Sequence, residues 1–393
     1  MKKLKFDVFF LKTYKRYNVI FVKGKNQYLY DNKNKKYLDF FCGLSVTNLG
    51  HSNDILYKIL KKQGSCLWHC SNLYYSYPQI ELAKKLISIT FPSKVFFSNS
   101  GAEANECAIK LARKYGSTSN RYEIITFKNS FHGRTLATLS ATGQKKFQKG
   151  FYPLVEGFRY AEFNNIHSVK NLINKKTIAI MIEPIQGEGG INVADRVFLV
   201  QLRKICDENK LLLIFDEVQT GLGRTGEFFA YQYYNVKPDI LTLAKGIANG
   251  LPLGVTLVDK NYSDVFDYGD HGSTFGGNLI SCAVACEVLR LIDENLLKNV
   301  KDNGKYFLNK LHELKLKYKF IKSVRGVGFM LGMELDFPAR EVVEDCLKNG
   351  LVLNVTQEKV IRFLPPLIIG KSDIDKAINI LDKVLSKYEQ KRT

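Results

Sequence analysis

The sequence contains no apolar run that approaches the roughly 18 residues of a membrane-spanning helix. Its opening, MKKLKFDVFFLK, has the basic start of a signal peptide, but Asp7 and Lys12 interrupt the apolar part and no small-residue cleavage site follows. We therefore expect mature sequence from the first residue, no membrane association and a cytoplasmic protein.

A C-x-x-C motif is also missing. The eight cysteines are scattered, and the two C-x-x-x-C pairs lack a second half with the spacing of metal ligands. This pattern predicts no bound metal and favours reduced thiols in a reducing compartment.

No long basic block occurs, although the chain carries 58 Lys and Arg against 38 Asp and Glu, a net charge of +20. The basic residues are spread along the chain and no nucleic-acid-binding module is present, so we expect no nucleic-acid partner. A diffuse positive field would instead suit anionic metabolites. With 393 residues, 45% hydrophobic and 24% charged, the chain is typical of a soluble globular protein of two or three domains.

In the middle of the chain, short apolar segments alternate with helical patterns. The segments are KVFFS, GAEANECAIKLARKYG, EIITF, TIAIMIE, VFLVQLRKICDENK, LLLIFDE and DILTLAK. Such alternation predicts an α/β fold with a wound, mostly parallel sheet.

The two ends of the chain differ from this middle part. The first sixty residues hold turn-rich short strands, and the last hundred begin with one amphipathic helix from Leu279 to about Leu297, followed by strands in FMLGMEL and VIRFLPPL. We predict an N-terminal segment (residues 1–60), a large domain (61–280) and a C-terminal part (281–393). The first and last of these together form a small α+β domain.

In the stretch LLLIFDEVQTGLGRTG, an apolar run ends at two adjacent acids, Asp216 and Glu217. A solvated strand end is one interpretation. A dinucleotide site is another, because Gly221, Gly223 and Gly226 spell G-x-G-x-x-G, but in such sites the glycines directly follow the strand and open a helix. The third is a carboxylate that pairs with a cationic cofactor nitrogen.

The third interpretation requires a partner, and Lys245 in LTLAKGIANG closes a second apolar run. A lysine at a strand end is usually solvated. In an apolar site, however, its amine would have a lowered pKa and would suit a Schiff base, while Asp216 would keep a pyridine nitrogen protonated. Together the two residues indicate pyridoxal phosphate chemistry.

A phosphate site is offered by SNSGAEANECAIKLARK. Ser98 to Ala102 lie between a predicted strand and a predicted helix, so the backbone N–H groups of Gly101 and Ala102 would face a phosphate at the helix start. The alternative is an ordinary N-cap formed by Ser100.

Six motifs, in order and at the spacing of the family, resemble the class III aminotransferases. They are SNSGAEAN, FHGRTLATLSATGQKKFQKGF, EPIQGEGG, FDEVQTGLGRTG, LAKGIANGLPLG and HGSTFGGN. The resemblance runs from about Tyr14 to the C-terminal region. Within the class, LWHCSNLYY and ATGQKKFQKGF resemble the acetylornithine aminotransferase branch. The chain departs from the family at Leu279, where proline is usual, and at GHSND, where GH-x-H-P is usual.

The resemblance implies a fold-type-I pyridoxal phosphate-dependent transferase in which Lys245 carries the cofactor and Asp216 binds its ring nitrogen. It implies that the cofactor is bound by Gly101, Ala102, Phe131, Asp216, Glu217, Val218, Gln219, Lys245 and Thr274. For the substrate it implies four residues. Arg134 binds a carboxylate, Ser273 contributes to the site, and Arg362 binds a second carboxylate when it is not paired with Glu188. For His132 we expect only a packed or hydrogen-bonded side chain.

The family also implies a homodimer in which Ser273 and Thr274 reach the partner's site. The implied reaction moves the δ-amino group of N2-acetyl-L-ornithine to 2-oxoglutarate, giving N-acetyl-L-glutamate 5-semialdehyde and L-glutamate in arginine biosynthesis. N-succinyl-diaminopimelate, an intermediate of lysine biosynthesis, is a possible second substrate. Ornithine and 4-aminobutyrate aminotransferases are the alternatives, whereas a nucleic-acid-binding protein or a nicotinamide-dependent oxidoreductase lacks motifs of its own.

Overall fold

The computed structural model describes residues 6–390. The first residues of the basic opening segment, on which part of the expectation of mature sequence depends, lie outside the described residues. Within residues 6–390, no helix is both long enough and apolar enough to cross a membrane.

The strands are numbered in chain order. They are β1 (Phe21–Lys25), β2 (Tyr28–Asp31), β3 (Lys36–Asp39), β4 (Ser93–Ser98), β5 (Glu123–Phe127), β6 (Phe158–Ala161), β7 (Thr177–Ile182), β8 (Ile185–Gln186), β9 (Asn192–Val193), β10 (Leu212–Asp216), β11 (Ile240–Leu243), β12 (Gly254–Asp259), β13 (Ile321–Val327), β14 (Met330–Leu335), β15 (Leu351–Val352), β16 (Asn354–Thr356) and β17 (Val360–Phe363).

The helices are numbered in the same way. They are α1 (Cys42–Ser45), α2 (Asp54–Gly64), α3 (Tyr77–Ile89), α4 (Gly101–Gly116), α5 (Leu136–Ala141), α6 (Lys145–Gln148), α7 (Ile166–Leu172), α8 (Arg196–Asn209), α9 (Ala230–Tyr234), α10 (Leu279–Leu291), α11 (Glu294–Lys317), α12 (Arg340–Lys348) and α13 (Lys371–Gln390). Short 3-10 turns at Phe6–Phe9, Ser117–Ser119, Lys245–Ala248 and Lys260–Tyr262 complete the set.

The central sheet has seven strands in the order β4-β12-β11-β10-β7-β5-β6. The pairs β11–β10, β10–β7, β7–β5 and β5–β6 are parallel, and β12 alone runs antiparallel to both of its neighbours. Every residue of β5, β7, β10, β11 and β12 is buried, as expected for a sheet covered on both faces. The predicted α/β fold with a mostly parallel sheet is confirmed.

The two ends of the chain meet in a second region with its own core. Strand β15 pairs in parallel with β3, so that Leu351 lies beside Leu38, and β13-β14-β17-β16 form a separate antiparallel sheet. Leu38 and Phe40 pack in one apolar cluster with side chains of α11, α12 and α13. The domain division at residues 60 and 280 stays a prediction.

The single helix predicted from Leu279 to about Leu297 is wrong. Two helices, α10 and α11, occupy this stretch because the backbone leaves the helical region at Ile292 (φ −84°, ψ 79°). Asp293 then caps α11, its side chain accepting a 2.8 Å hydrogen bond from the N–H of Leu296. The apolar face of α10 packs against α2 and α3, on the side of the large core.

The short α1 is a left-handed turn, with positive φ at all four of its residues from Cys42 (52°) to Ser45 (65°). Such backbone costs energy for residues other than glycine, and it persists where surrounding contacts over-determine it. One such contact is Arg224, whose Nε donates to Ser45 Oγ over 2.9 Å and whose other nitrogens donate to Asn48 and to the carbonyls of Phe329 and Pro365. Burial lowers the pKa of Arg224 to about 10. This buried cation ties α1 to the C-terminal part of the chain.

Candidate active site

The carboxyl ends of the parallel strands gather acids, an amine and aromatic side chains in one place, as open α/β sheets characteristically do. Asp216 closes β10, Glu183 follows β7 directly, and Lys245 follows β11 by two residues. All three line a cavity of about 400 Å³. Other predicted residues in its wall are Gly101, Ala102, Phe131, Arg134, Val218 and Gln219.

Asp216 is buried, at 4% exposure, and both of its carboxylate oxygens are engaged. Oδ2 accepts from Asn105 Nδ2 and lies against His132 Nδ1, both over 2.8 Å, and Oδ1 accepts from the N–H of Val218 over 3.1 Å. Three donors therefore determine how this carboxylate points. The expectation that His132 is a hydrogen-bonded histidine is confirmed, and its partner is Asp216 itself.

Lys245 is partly buried and has a left-handed backbone (φ 49°), a conformation that is uncommon for lysine and that clusters at functional sites. Within the described residues its Nζ makes no hydrogen bond or ion pair. Burial lowers the pKa of Lys245, although the nearby charges of Glu188 and Asp216 oppose that shift. The result is an amine in the cavity that loses its proton more readily than an ordinary lysine.

The start of α4 supplies the other end of the cavity. Ser100 is the N-cap predicted as the alternative, since its Oγ accepts from the N–H of Glu103 over 3.2 Å. The cap leaves the N–H groups of Gly101 and Ala102, which line the cavity, without a partner among the described residues, and the phosphate site stays a prediction. A Cβ at position 101 would lie 2.7 Å from Val218, which explains why glycine is needed where this loop passes the strand end.

An aromatic wall carries the predicted substrate arginine. The rings of Phe131 and Phe147 pack edge to face with centroids 5.7 Å apart. The guanidinium of Arg134 lies 4.1 Å from the centroid of Phe147 and 5.2 Å from that of Phe131. Arg134 is exposed, so these ring contacts hold its charge at the cavity rim.

Arg362 is fully buried on β17 and forms an ion pair with Glu188, whose Oε1 lies 2.7 Å from its Nη1. The same Nη1 donates to Gln219 Oε1 over 3.3 Å, and Nε and Nη2 donate to Asn354 Oδ1. Burial alone would raise the pKa of Glu188, but the charge and hydrogen bond of Arg362 outweigh it and leave the pKa below its ordinary value. The predicted ion pair of Arg362 and Glu188 is thus formed, beside Gln219, which lines the cavity.

Besides Glu188 and Arg362, the predicted residues Glu217, Ser273 and Thr274 do not line this cavity. The Glu217 carboxylate accepts from the N–H groups of Ala230 and Tyr231, at the start of α9, and not from any group in the cavity. Ser273 approaches only the cavity's edge, where its Oγ accepts from Asn99 Nδ2 over 3.2 Å. Thr274 is exposed.

Sequence reasoning missed two buried residues of the site. Glu183 Oε2 accepts from the N–H of Phe131 over 2.8 Å and Oε1 accepts from the N–H of Gly187, so it ties together the loops that carry Phe131 and Glu188. Burial and the charge of Asp216 raise the pKa of Glu183 well above its ordinary value. Asn105 donates to both Asp216 and the carbonyl of His132.

The glycine motif does not form a dinucleotide site. Residues 217–229 form turns and bends without a helix, and the next helix, α9, begins only at Ala230, beyond Gly226. A dinucleotide fold would require the glycines to open a helix directly after β10. The interpretation of Gly221, Gly223 and Gly226 as a nucleotide-binding loop is therefore wrong.

Comparisons with known proteins agree on one family over almost the whole chain. Residues 10–385 match the family model described as aminotransferase class-III. The chain is 50% identical over 385 residues to the acetylornithine aminotransferase of Methanocaldococcus jannaschii, covering 97% of this chain and 96% of that protein. It is 42% identical over 402 residues to the succinylornithine transaminase of Yersinia pestis, covering 99% and 97%. Among solved structures, it is similar to the ornithine aminotransferase of Toxoplasma gondii, with a TM-score of 0.94, 31% identity and coverage of 98% and 94%.

Proposed function

Because the chain belongs to the class III aminotransferase family, we propose that it moves the δ-amino group of N2-acetyl-L-ornithine to 2-oxoglutarate with the help of pyridoxal 5'-phosphate. The products are N-acetyl-L-glutamate 5-semialdehyde and L-glutamate, and the setting is arginine biosynthesis. The observation that carries the proposal is the meeting of Lys245 and Asp216 in one cavity at the carboxyl edge of the sheet. N-succinyl-diaminopimelate is a possible second substrate.

The side chains present fit this cofactor at each of its groups. Lys245 would bind it covalently, Asp216 would accept a hydrogen bond from its ring nitrogen, and the open N–H groups of Gly101 and Ala102 would hold its phosphate. Phe131 and Val218 would cover the two faces of its ring, and Gln219 would lie near its phenolic oxygen. When bound, pyridoxal phosphate supplies a ring that withdraws electrons from the substrate carbon that bears nitrogen.

Lys245 would have a second role besides holding the cofactor. Because burial lowers its pKa, Lys245 loses its proton more readily than an ordinary lysine, so Nζ would take up a proton at the substrate carbon and release it again. The carboxylates of Glu188 and Asp216 would stabilise the ammonium form that results. One side chain thus serves both as attachment point and as proton carrier.

Two arginines divide the recognition of substrate carboxylates. Arg134 binds the carboxylate far from the reacting carbon in N-acetylornithine and in 2-oxoglutarate, because a planar guanidinium binds a carboxylate through two parallel hydrogen bonds. The carboxylate beside the reacting carbon exists only in 2-oxoglutarate and glutamate, and it binds Arg362. While N-acetylornithine reacts, Glu188 neutralises Arg362 through their 2.7 Å contact.

We further propose a homodimer with shared active sites. Thr274 is exposed and Ser273 reaches only the edge of the cavity, which fits residues that complete the site of a second copy. The eight cysteines are free thiols, which fits a cytoplasmic enzyme in a reducing compartment.

The proposal is tested by comparing kcat/KM for N-acetylornithine, ornithine, 4-aminobutyrate and N-succinyl-diaminopimelate, with 2-oxoglutarate as acceptor. We expect N-acetylornithine to give a higher value than ornithine or 4-aminobutyrate. Borohydride reduction followed by peptide mass analysis should find the cofactor attached at Lys245. A higher kcat/KM for ornithine or 4-aminobutyrate, or attachment elsewhere, would contradict the proposal.

A further inference from the structure

A second cavity, of about 590 Å³, lies beside the active site and has no role in the reaction as described so far. Its walls come from the N-terminal segment around Tyr14 and Tyr17, from α6 and from the turn between β16 and β17. Tyr14, Tyr17, Phe147 and Pro338 give it an apolar surface, while Lys146 and Gln357 are among its polar residues.

Two side chains connect this cavity to the site around Lys245. Phe147 lines the second cavity, and on its ring lies the guanidinium of Arg134, which lines the first. Glu188 also lines the second cavity, and its charge acts on Lys245. A substrate with its amine at Lys245 and its distal carboxylate at Arg134 would have that carboxylate beside Phe147, whose ring lines the second cavity. In N-acetylornithine the N-acyl group is attached to the carbon that bears this carboxylate.

Lys146 is held at the wall of this cavity by a chain of hydrogen bonds. Its Nζ lies 5.1 Å from the ring centroid of Phe147 and donates to Gln357 Oε1 over 3.0 Å. Gln357 in turn donates to Gln144 Oε1 and to the carbonyl of Glu188, both over 2.8 Å. Lys146 and Arg134 thus lie over the same ring, with Lys146 on the side of the second cavity.

The charges around the cavity leave this ammonium group without an acid. Of the basic residues in the wall, Arg340 pairs with Glu344 over 2.9 Å, whereas Lys15 and Lys146 form no ion pair within residues 6–390. The acids in the wall are Glu188, which is paired with Arg362, and the exposed Glu358. A negative group entering the cavity would therefore gain a partner at Lys146.

We propose that this cavity is the subsite for the N-acyl group of the substrate, and that Lys146 makes it favour acyl groups ending in a carboxylate. The inference rests on the proposed aminotransferase function and specifies the substrate class that the same site accepts. The apolar walls accommodate the methyl group of an acetyl substituent. A succinyl substituent extends further and places its carboxylate at Lys146, so the two substrates differ in their interaction with one residue.

The test measures kcat/KM for N-succinylornithine, N-acetylornithine and ornithine in the wild-type holoenzyme and in Lys146→Met. We expect a loss of roughly threefold to tenfold for N-succinylornithine, the range for a partly screened ion pair, and less than about twofold for the other two. The loss should shrink at high salt. Lys146→Arg should restore the preference, and Lys145→Met, which removes an exposed charge of the same helix outside the cavity lining, should leave it unchanged.

The outcomes separate the subsite from the underlying function. Equal losses for all three substrates in Lys146→Met, or an unchanged kcat/KM for N-succinylornithine, would overturn the subsite while the enzyme remains an aminotransferase. A wild-type protein that takes the amino group from none of the three would refute the proposed function itself.

Discussion

The imidazole of His132 and the carboxylate of Asp216 form a buried pair, with Nδ1 2.8 Å from Oδ2. His132 is 2% exposed and Asp216 4% exposed, so water does not compete for this contact. Because the neighbour of Nδ1 is a carboxylate, that nitrogen carries the proton, and the pair holds the charge of Asp216 in one orientation.

Asp216→Asn should retain the yellow cofactor and lose at least about a hundredfold in kcat, because a neutral amide does not stabilise a protonated ring nitrogen. Absorbance of the purified variant reports the cofactor, and steady-state rates report the loss. Near-normal turnover would mean that Asp216 is only a strand end.

His132→Ala and Asn105→Ala should each lower kcat by roughly tenfold, since each removes one hydrogen bond to a charged group. In the double variant Asp216 keeps only the N–H of Val218, and the combined loss should differ from the product of the single losses. A double-mutant cycle on kcat, with cofactor content measured for each variant, checks this coupling. Strictly multiplicative losses would argue against a shared action through Asp216.

Arg362→Ala should impair the half-reaction with 2-oxoglutarate far more than the half-reaction with N-acetylornithine. Glu188→Ala should let glutamate compete better as amino donor, because Arg362 then has no ion-pair partner and is always free to bind a carboxylate. Single-turnover measurements of each half-reaction separate the two effects. Equal losses in both half-reactions for Arg362→Ala would rule out the exchange of partners at this arginine.

The buried Glu217 gives a pH dependence of stability. Burial raises the pKa of its carboxyl from 4.5 to about 7, so the folded state binds a proton that the unfolded state has already released in this range. The stabilisation is complete below about pH 4.5 and is lost as the pH rises through 7. Urea unfolding should show a decline of roughly 1–3 kcal/mol across this window that is absent in Glu217→Gln. Parallel curves for the two proteins would contradict it.

Thr274 tests the proposed sharing of sites between subunits. Inactive Lys245→Ala and inactive Thr274→Ala subunits, when mixed, should regain part of the wild-type activity, because one site of each hybrid dimer has both residues intact. Subunit exchange is verified by mass spectrometry of the mixed dimers. Absence of rescue after complete exchange would count against a shared site.

The acids at strand ends were within reach of sequence reasoning, and one of them was still missed. LLLIF followed by Asp216 and TIAIMI followed by Glu183 are the same pattern, an all-buried strand that ends in a carboxylate. The rule that identified Asp216 applies equally to Glu183. Likewise, the break between α10 and α11 had a local signal, an aspartate capping the next helix, which the continuing apolar periodicity concealed.

Other parts of the site have no such local signal. Asn105 reaches Asp216 because α4 packs over β12, β11 and β10. The two residues are 111 positions apart, and no spacing pattern in the sequence links residues at that distance. Glu217 follows Asp216 directly, yet the turn after β10 directs its carboxylate to α9 and away from the cavity. The second cavity depends on how residues 13–17 pack near the β16–β17 turn, which only the folded chain determines.

The pairing of β3 with β15 has a consequence for synthesis on the ribosome. About 300 residues separate Asp39 from Val352, which translation at roughly 5–20 residues per second adds in about 15–60 s. During that interval β3 has an unpaired edge, and every strand of the central sheet is made before the interval ends. The strands of the central sheet can therefore pair before β3, one of the earliest strands to emerge, gains its second neighbour.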